Sequence, residues 1–163
     1  MGKFYGELGD ELSLHVRHLA WLNTVPKPEK RSITDKTEPK SRLREMKDGG
    51  IVPAMPPCAT PWIVEQLVEI GPVVAAGMGR APIGWADIAA WSAMTCVTLP
   101  PWQARLLRRL SSDWLAESQA AEKPDAPPPW TEPDPDAERR AAISAKVGNA
   151  FRALLGSRGR RPS

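Results

Sequence analysis

Four side chains near the N-terminus have the types and spacing to do chemistry. Glu7, Glu11, His15 and His18 recur at i, i+4, i+8 and i+11 in "ELGDELSLHVRHLAWL", so one helix face would carry two carboxylates and two imidazoles. Such donors bind zinc, but a zinc shell needs donors converging tetrahedrally, and a single helix presents them in a line. The set therefore reads as a polar face with helix ion pairs, and no metal is assigned. Cys58 and Cys96 stand alone, with no CxxC spacing and no nearby His pattern. Neither a metal site nor a disulfide framework follows, and a reducing compartment is expected.

A second stretch, "EIGPVVAAGMGRAPIGW" at residues 69–85, raises phosphate binding through Gly77, Gly79 and Gly84, with Arg80 as a charge partner. A phosphate loop needs amides turned inward between a strand and a helix, and usually a GK[ST] ending. Here a helix precedes the glycines and no such ending exists. The stretch reads as a structural turn at Gly77, Gly79 and Gly84, with Val73, Val74 and Met78 folded under the helices. There is no Ser-His-Asp set, no paired catalytic carboxylates and no HExxH. The chain is not expected to be an enzyme, and no catalytic residue or cofactor is assigned.

Helices must position these residues. Residues 7–22 place Leu8, Leu12, Leu14, Val16, Leu19 and Leu22 at helical spacings despite Gly9. Residues 23–40 are nearly devoid of apolar side chains and read as a linker or partly disordered arm. A short helix follows, with Ser41 as cap and Gly49 as stop. The next has Thr60 as N-cap, Pro61 at its first position and Gly71-Pro72 at its end, with Trp62, Ile63, Leu67 and Ile70 as its stripe. Gly84 and Asp87 open a helix in which Trp85, Ile88, Trp91 and Met94 lie close to one side. The clearest helix, in residues 99–122, sets Trp102, Leu106, Leu110 and Trp114 at four-residue steps, flanked by Arg105, Arg108 and Arg109. Beyond an acidic Pro-rich linker, Ile143, Val147, Phe151 and Leu154 mark an amphipathic C-terminal helix and a basic tail. No strand pattern is found. The expected fold is all-α, a small helical domain with Pro-rich, partly disordered flanking arms. Its parts are an N-terminal helix and basic arm (1–57), a compact Trp-rich domain (58–123), and linker, helix and tail (124–163).

The chain has 163 residues, 18 of them proline, with a net charge of +3. The charge comes in blocks: residues 27–47 carry eight Lys/Arg against four acids, residues 124–138 five acids and no base, residues 139–163 seven bases and no acid. Such alternation marks solvated linkers and tails. The tail from Arg152 to Arg161 lacks the aromatics that accompany nucleic-acid binding, which is therefore disfavoured. No apolar run resembles a signal peptide or a membrane span, so a soluble intracellular protein is expected. Of seven tryptophans, five (Trp62, Trp85, Trp91, Trp102 and Trp114) fall in the central part. Tryptophan anchors cores and interfaces alike. Trp62, Trp91, Trp102, Leu106, Leu110 and Trp114 are the expected partner-binding residues.

The run from Glu69 to Trp130 resembles small proteins of tailed-phage and prophage morphogenesis regions, the tail assembly chaperones. The shared pattern is an E-I-G-P stop, a Gly-Met-Gly turn at residues 77–79, "P-I-x-W-x-D-I-x-A-W" from Pro82, then "L-x-P-W-x-A-R-x-L-R-R-L-S" from Leu99. The likeness covers about residues 60–130 and departs from the group at Gly84, where Ser or Thr is usual. It implies a protein of the host bacterial cytoplasm that binds the tape-measure protein, keeps its apolar segments soluble and recruits tail tube subunits. Some members of the group also occur in a frameshift-extended form. A structural tail or neck component of the virion, and a small nucleic-acid-binding regulator, are the alternative readings.

Overall fold

A computed structural model describes residues 2–27, 38–134, 136, 144, 146 and 147. The chain divides into two compact units, Met1–Thr131 and Glu132–Ser163. This division differs from the compositional bounds at 57/58 and 123/124: α1, at Gly2–Asn23, belongs to the same unit as the Trp-rich centre. Of the second unit, positions 144, 146 and 147 are helical, and the Asp136 N–H donates to Asp134 Oδ1 at 2.9 Å. The central part of the basic arm (28–37) and most of the expected C-terminal helix and tail lie outside the described residues.

Local signals account for the helix ends. In α2, Arg42–Asp48, the Ser41 hydroxyl accepts from the Arg44 N–H at 3.4 Å, and the Gly49 N–H closes the last turn on Glu45 O at 3.0 Å. In α3, Pro61–Ile70, proline occupies the first turn and Gly71, at φ +97°, turns the chain out. Thr60 holds the N-cap position without capping through its hydroxyl, which is buried and unpartnered. For α4, Trp85–Thr95, the Gly84 N–H donates to Asp87 Oδ2 at 2.6 Å, half of a capping box whose other half glycine has no side chain to make. A left-handed Cys96 ends it. Helix α5, Pro101–Ala120, starts at two prolines.

The chain is mostly helical, but all-α is too strict. Strands β1, Val74–Ala76, and β2, Gly79–Ala81, form an antiparallel hairpin with Ala76 opposite Gly79. The two-residue link is Gly77-Met78, with Gly77 at φ +55°. A positive φ on a first-position glycine is what a type II′ hairpin turn demands. The turn expected here exists, but Met78 sits at its tip, fully exposed, rather than under the helices. Ser111, fully buried on α5, ties the hairpin down: its hydroxyl accepts from the Ile83 N–H at 2.9 Å and donates to Pro72 O at 2.7 Å.

Helices α1 and α5 run parallel and in register. Ser13 Oγ donates to Asp113 Oδ2 at 2.7 Å, Arg17 Nε to Glu117 Oε2 at 2.9 Å, and Arg109 Nη2 to Asp10 Oδ1 at 2.6 Å. Each partner lies about a hundred residues further along. Leu12 and Val16 of α1, Ile63 and Leu67 of α3, and Leu107 and Leu110 of α5 form the heart of the core. On α5 the buried face is Gln103, Leu107, Leu110 and Ser111, because four-residue steps drift around a 3.6-residue helix. For the same reason the three-residue series on α4 does not stay together: Ile88 is buried while Trp85 and Met94 are exposed.

Parallel neighbours bring two negative helix ends together. The buried Arg42 side chain sits there. Its Nη1 donates to Ala121 O at 2.8 Å and reaches Trp21 O at 3.5 Å, its Nη2 donates to Lys123 O at 2.8 Å, and its guanidinium lies 4.7 Å from the Trp21 ring centre. Burial lowers its pKa from the usual value, yet a guanidinium remains charged. Around it, Trp21, Leu22 and Ala121 form a second apolar cluster with Leu43, Met46 and Met55.

Two expected outcomes follow in urea unfolding. Arg42→Met strands carbonyls at both helix ends and should cost about 2–4 kcal/mol, with Arg42→Lys failing to restore it because ammonium lacks the planar fork. Ser111→Ala should cost about 1–3 kcal/mol by orphaning the Ile83 N–H. An unchanged midpoint at constant m in either variant contradicts the assignment.

Candidate protein-docking site

The six residues expected to meet a partner do not share one face. Leu110 is fully buried and belongs to the core, since it falls on the side of α5 turned toward α1 and α3. Trp102, Leu106 and Trp114 are half-buried against that core. Trp102 and Leu106 line a shallow hollow of about 200 Å³ with Leu8, while Trp114 lines a different one. Trp91 is half-buried on α4 with its indole N–H unpartnered. Trp62, on α3, is 43% exposed. Trp85, a member of the expected α4 stripe but not one of the six, is 52% exposed, with the Arg108 guanidinium 4.5 Å over its ring.

A shallow, open apolar groove instead lies between α1 and α3. It has a volume of about 430 Å³ and is lined by His15, Leu19, Pro61, Val64, Glu65, Val68 and Glu69. Five of these lie on α3 at i, i+3, i+4, i+7 and i+8, a single helical stripe. Val64 packs down into the core and forms the floor, while Val68, 50% exposed, forms one wall. The stripe escaped sequence inspection because Trp62, Ile63, Leu67 and Ile70 carry the stronger apolar signal. Ile63 and Leu67 do face the core. The neighbouring stripe, with two valines and two glutamates, becomes a groove only because α1 lies beside it.

Three of the four α1 residues considered as zinc donors, Glu11, His15 and His18, have partners beyond α1, while Glu7 is exposed. His15 Nδ1 donates to Pro56 O at 2.8 Å, and Glu11 Oε1 accepts from the Ala59 N–H, so the 56–59 loop is pinned onto α1. His18 stacks on Trp21 with ring centres 5.8 Å apart and meets Trp130 edge-on. Among the described residues no three His, Cys, Asp or Glu side chains gather as a metal-binding group. Cys58 is half-buried and Cys96 exposed; burial pushes the Cys58 thiol pKa up, away from a reactive thiolate.

A second hollow, of about 420 Å³, lies between the hairpin and the C-terminal ends of α1 and α5. Its lining is mixed, with Asn23, Arg80, Trp114, Ser118 and Glu122, and Glu122 is already paired with Lys27. The Gly77-Met78 turn presents no phosphate cradle: Arg80 stands on β2 across the ladder from Ala75, and no helix begins at the turn. No described helix is long and apolar enough to cross a membrane. Comparison with protein-family models, curated proteins and solved structures finds no match.

His18 makes stability depend on pH. Burial depresses its pKa below 6.5, with His15 adding to the effect; a backbone hydrogen bond at Ala54 and the charge of Glu117 oppose it. Its Nδ1 has no partner, so protonation there would create a buried orphan donor. A folded-state pKa below the unfolded one means that the unfolded chain takes up the proton first. The full contribution of neutral His18 is therefore present above pH 6.5 and is lost as pH falls from there toward the depressed folded value. Thermal unfolding between pH 7.5 and 5.5 should show a steeper loss of Tm for the wild type than for His18→Phe. Equal slopes would contradict a buried neutral imidazole.

Proposed function

We propose that the chain is a tail assembly chaperone of a tailed bacteriophage, acting in the host cytoplasm without catalysis. In this reading it binds the tape-measure protein, shields that protein's apolar segments and assists assembly of the tail tube. The observation that carries the reading is the apolar groove between α1 and α3, open on a folded body. A groove of this form accepts the apolar face of a partner helix. The motif residues from Glu69 to Trp130, with their likeness to the tail assembly group, name the partner class. The well-formed core supports a reusable body over a segment that folds only on binding, since the groove walls are fixed by α1 and α3 before any partner arrives.

Co-expression with the tape-measure and tube proteins of the same phage tests this. The tape-measure protein should become soluble and co-purify, and the chain should be absent from finished particles. Val68→Asp, on a half-exposed side chain that leaves the core intact, should weaken the association about tenfold or more. Association with neither protein, together with the chain in purified virions, refutes the chaperone and makes the chain a structural tail or neck subunit.

A further inference from the structure

The charges beside the groove are placed where the fold gains nothing from them. Glu65 and Glu69 lie one turn apart on α3 and face solvent at the groove edge. Like charges at i, i+4 repel, and Glu69 falls in the last turn, where the helix dipole already concentrates negative charge. The α3 helix has no basic residue in that turn and no acid in its first turn, the reverse of a stabilising arrangement. Among the described residues no cation pairs with either carboxylate, although Arg17, Lys27, Lys40 and Arg109 all find acidic partners elsewhere. Two unpaired carboxylates and a negative helix end thus border an apolar groove with Val64 as its floor and Leu19 and Val68 at its sides.

We infer that this groove selects an amphipathic helix whose apolar stripe is flanked by Lys or Arg. The inference rests on the chaperone reading for the source of the helix, a segment of the tape-measure protein, and adds the charge rule by which that segment is chosen. Its apolar side chains insert between Leu19 and Val68. Its basic side chains pair with Glu65 and Glu69 along α3, whose ten residues match about three turns of a partner helix. Acid-flanked helices of equal hydrophobicity are rejected by the same two carboxylates.

The test uses the full chain and two synthetic helical peptides that share one Leu stripe, flanked by Lys in the first and by Glu in the second. Binding is read by fluorescence anisotropy, and the site by backbone amide shifts. The Lys peptide should bind about tenfold tighter than the Glu peptide at low salt, as expected for two exposed ion pairs against two repulsions, and the gap should shrink as salt is raised. Amide shifts should concentrate on α1 and α3. The double variant Glu65→Lys with Glu69→Lys, checked for an unchanged circular dichroism spectrum, should reverse the preference. Equal binding of both peptides, shifts on another face, or the same preference in the double variant overturns the inference. So does concentration-dependent self-association that buries α3 and excludes the peptides, which would make a second copy the occupant. These outcomes are separable from failure of the chaperone reading. Tape-measure solubilisation that survives in the double variant leaves the chaperone standing and removes the charge rule. Peptide selectivity without tape-measure association does the opposite.

Discussion

Two helices that run the same way place their negative ends side by side, and something must hold that arrangement against dipole repulsion. In this chain it is the guanidinium of Arg42, buried between the ends of α1 and α5 with carbonyls of Trp21, Ala121 and Lys123 within its reach. A buried cation with no carboxylate partner is ordinarily costly. Here the oriented carbonyls of two helix ends stand in for the carboxylate, and the Trp21 ring adds a third kind of contact. The planar fork matters as much as the charge, since it serves separate carbonyls through Nη1 and Nη2.

Much else depends on that junction. With α1 set parallel on α5, Ser13 meets Asp113 and Arg17 meets the nearly buried Glu117, which fixes the register along the pair. The same placement puts Leu12 and Val16 opposite Ile63 and Leu67, closing the core, and leaves His15 and Leu19 facing the outer stripe of α3. The apolar groove is thus a consequence of helix register rather than of any one loop. Beside Leu107 and Leu110 on the buried face of α5, Ser111 fastens both flanks of the hairpin, so α5 holds both α1 and the β-hairpin in place.

The sequence disclosed the helices well because their ends are chemically marked: Ser41 and Gly49 bound α2, Pro61 and Gly71 bound α3, Gly84 with Asp87 opens α4. The hairpin escaped because Val74–Ala76 and Gly79–Ala81 are short and mostly small residues, with no alternation to read. Its one signal was the Gly77-Met78 pair in a two-residue link. Of the candidate docking residues, Trp102, Leu106, Leu110 and Trp114 recur at four-residue steps on α5, which drift around the helix, so Leu110 enters the core and Trp102 and Trp114 line separate hollows. The groove itself needs α1 brought next to α3 from some fifty residues away, and no local pattern encodes that approach.

The parallel pairing of α1 and α5 is the claim on which both the core and the groove rest, and distances between spin labels measure it directly. In a background with Cys58 and Cys96 replaced by Ser, one label pair goes at the exposed Asn23 and Gln119 and a second at Asn23 and Arg105. Gln119 and Arg105 are separated by about 21 Å of helix rise, so the two arrangements are readily told apart. The account predicts a short distance for Asn23 with Gln119 and a clearly longer one for Asn23 with Arg105. The reverse order would mean an antiparallel pair, with no shared helix end for Arg42 to bridge and no groove of the kind described.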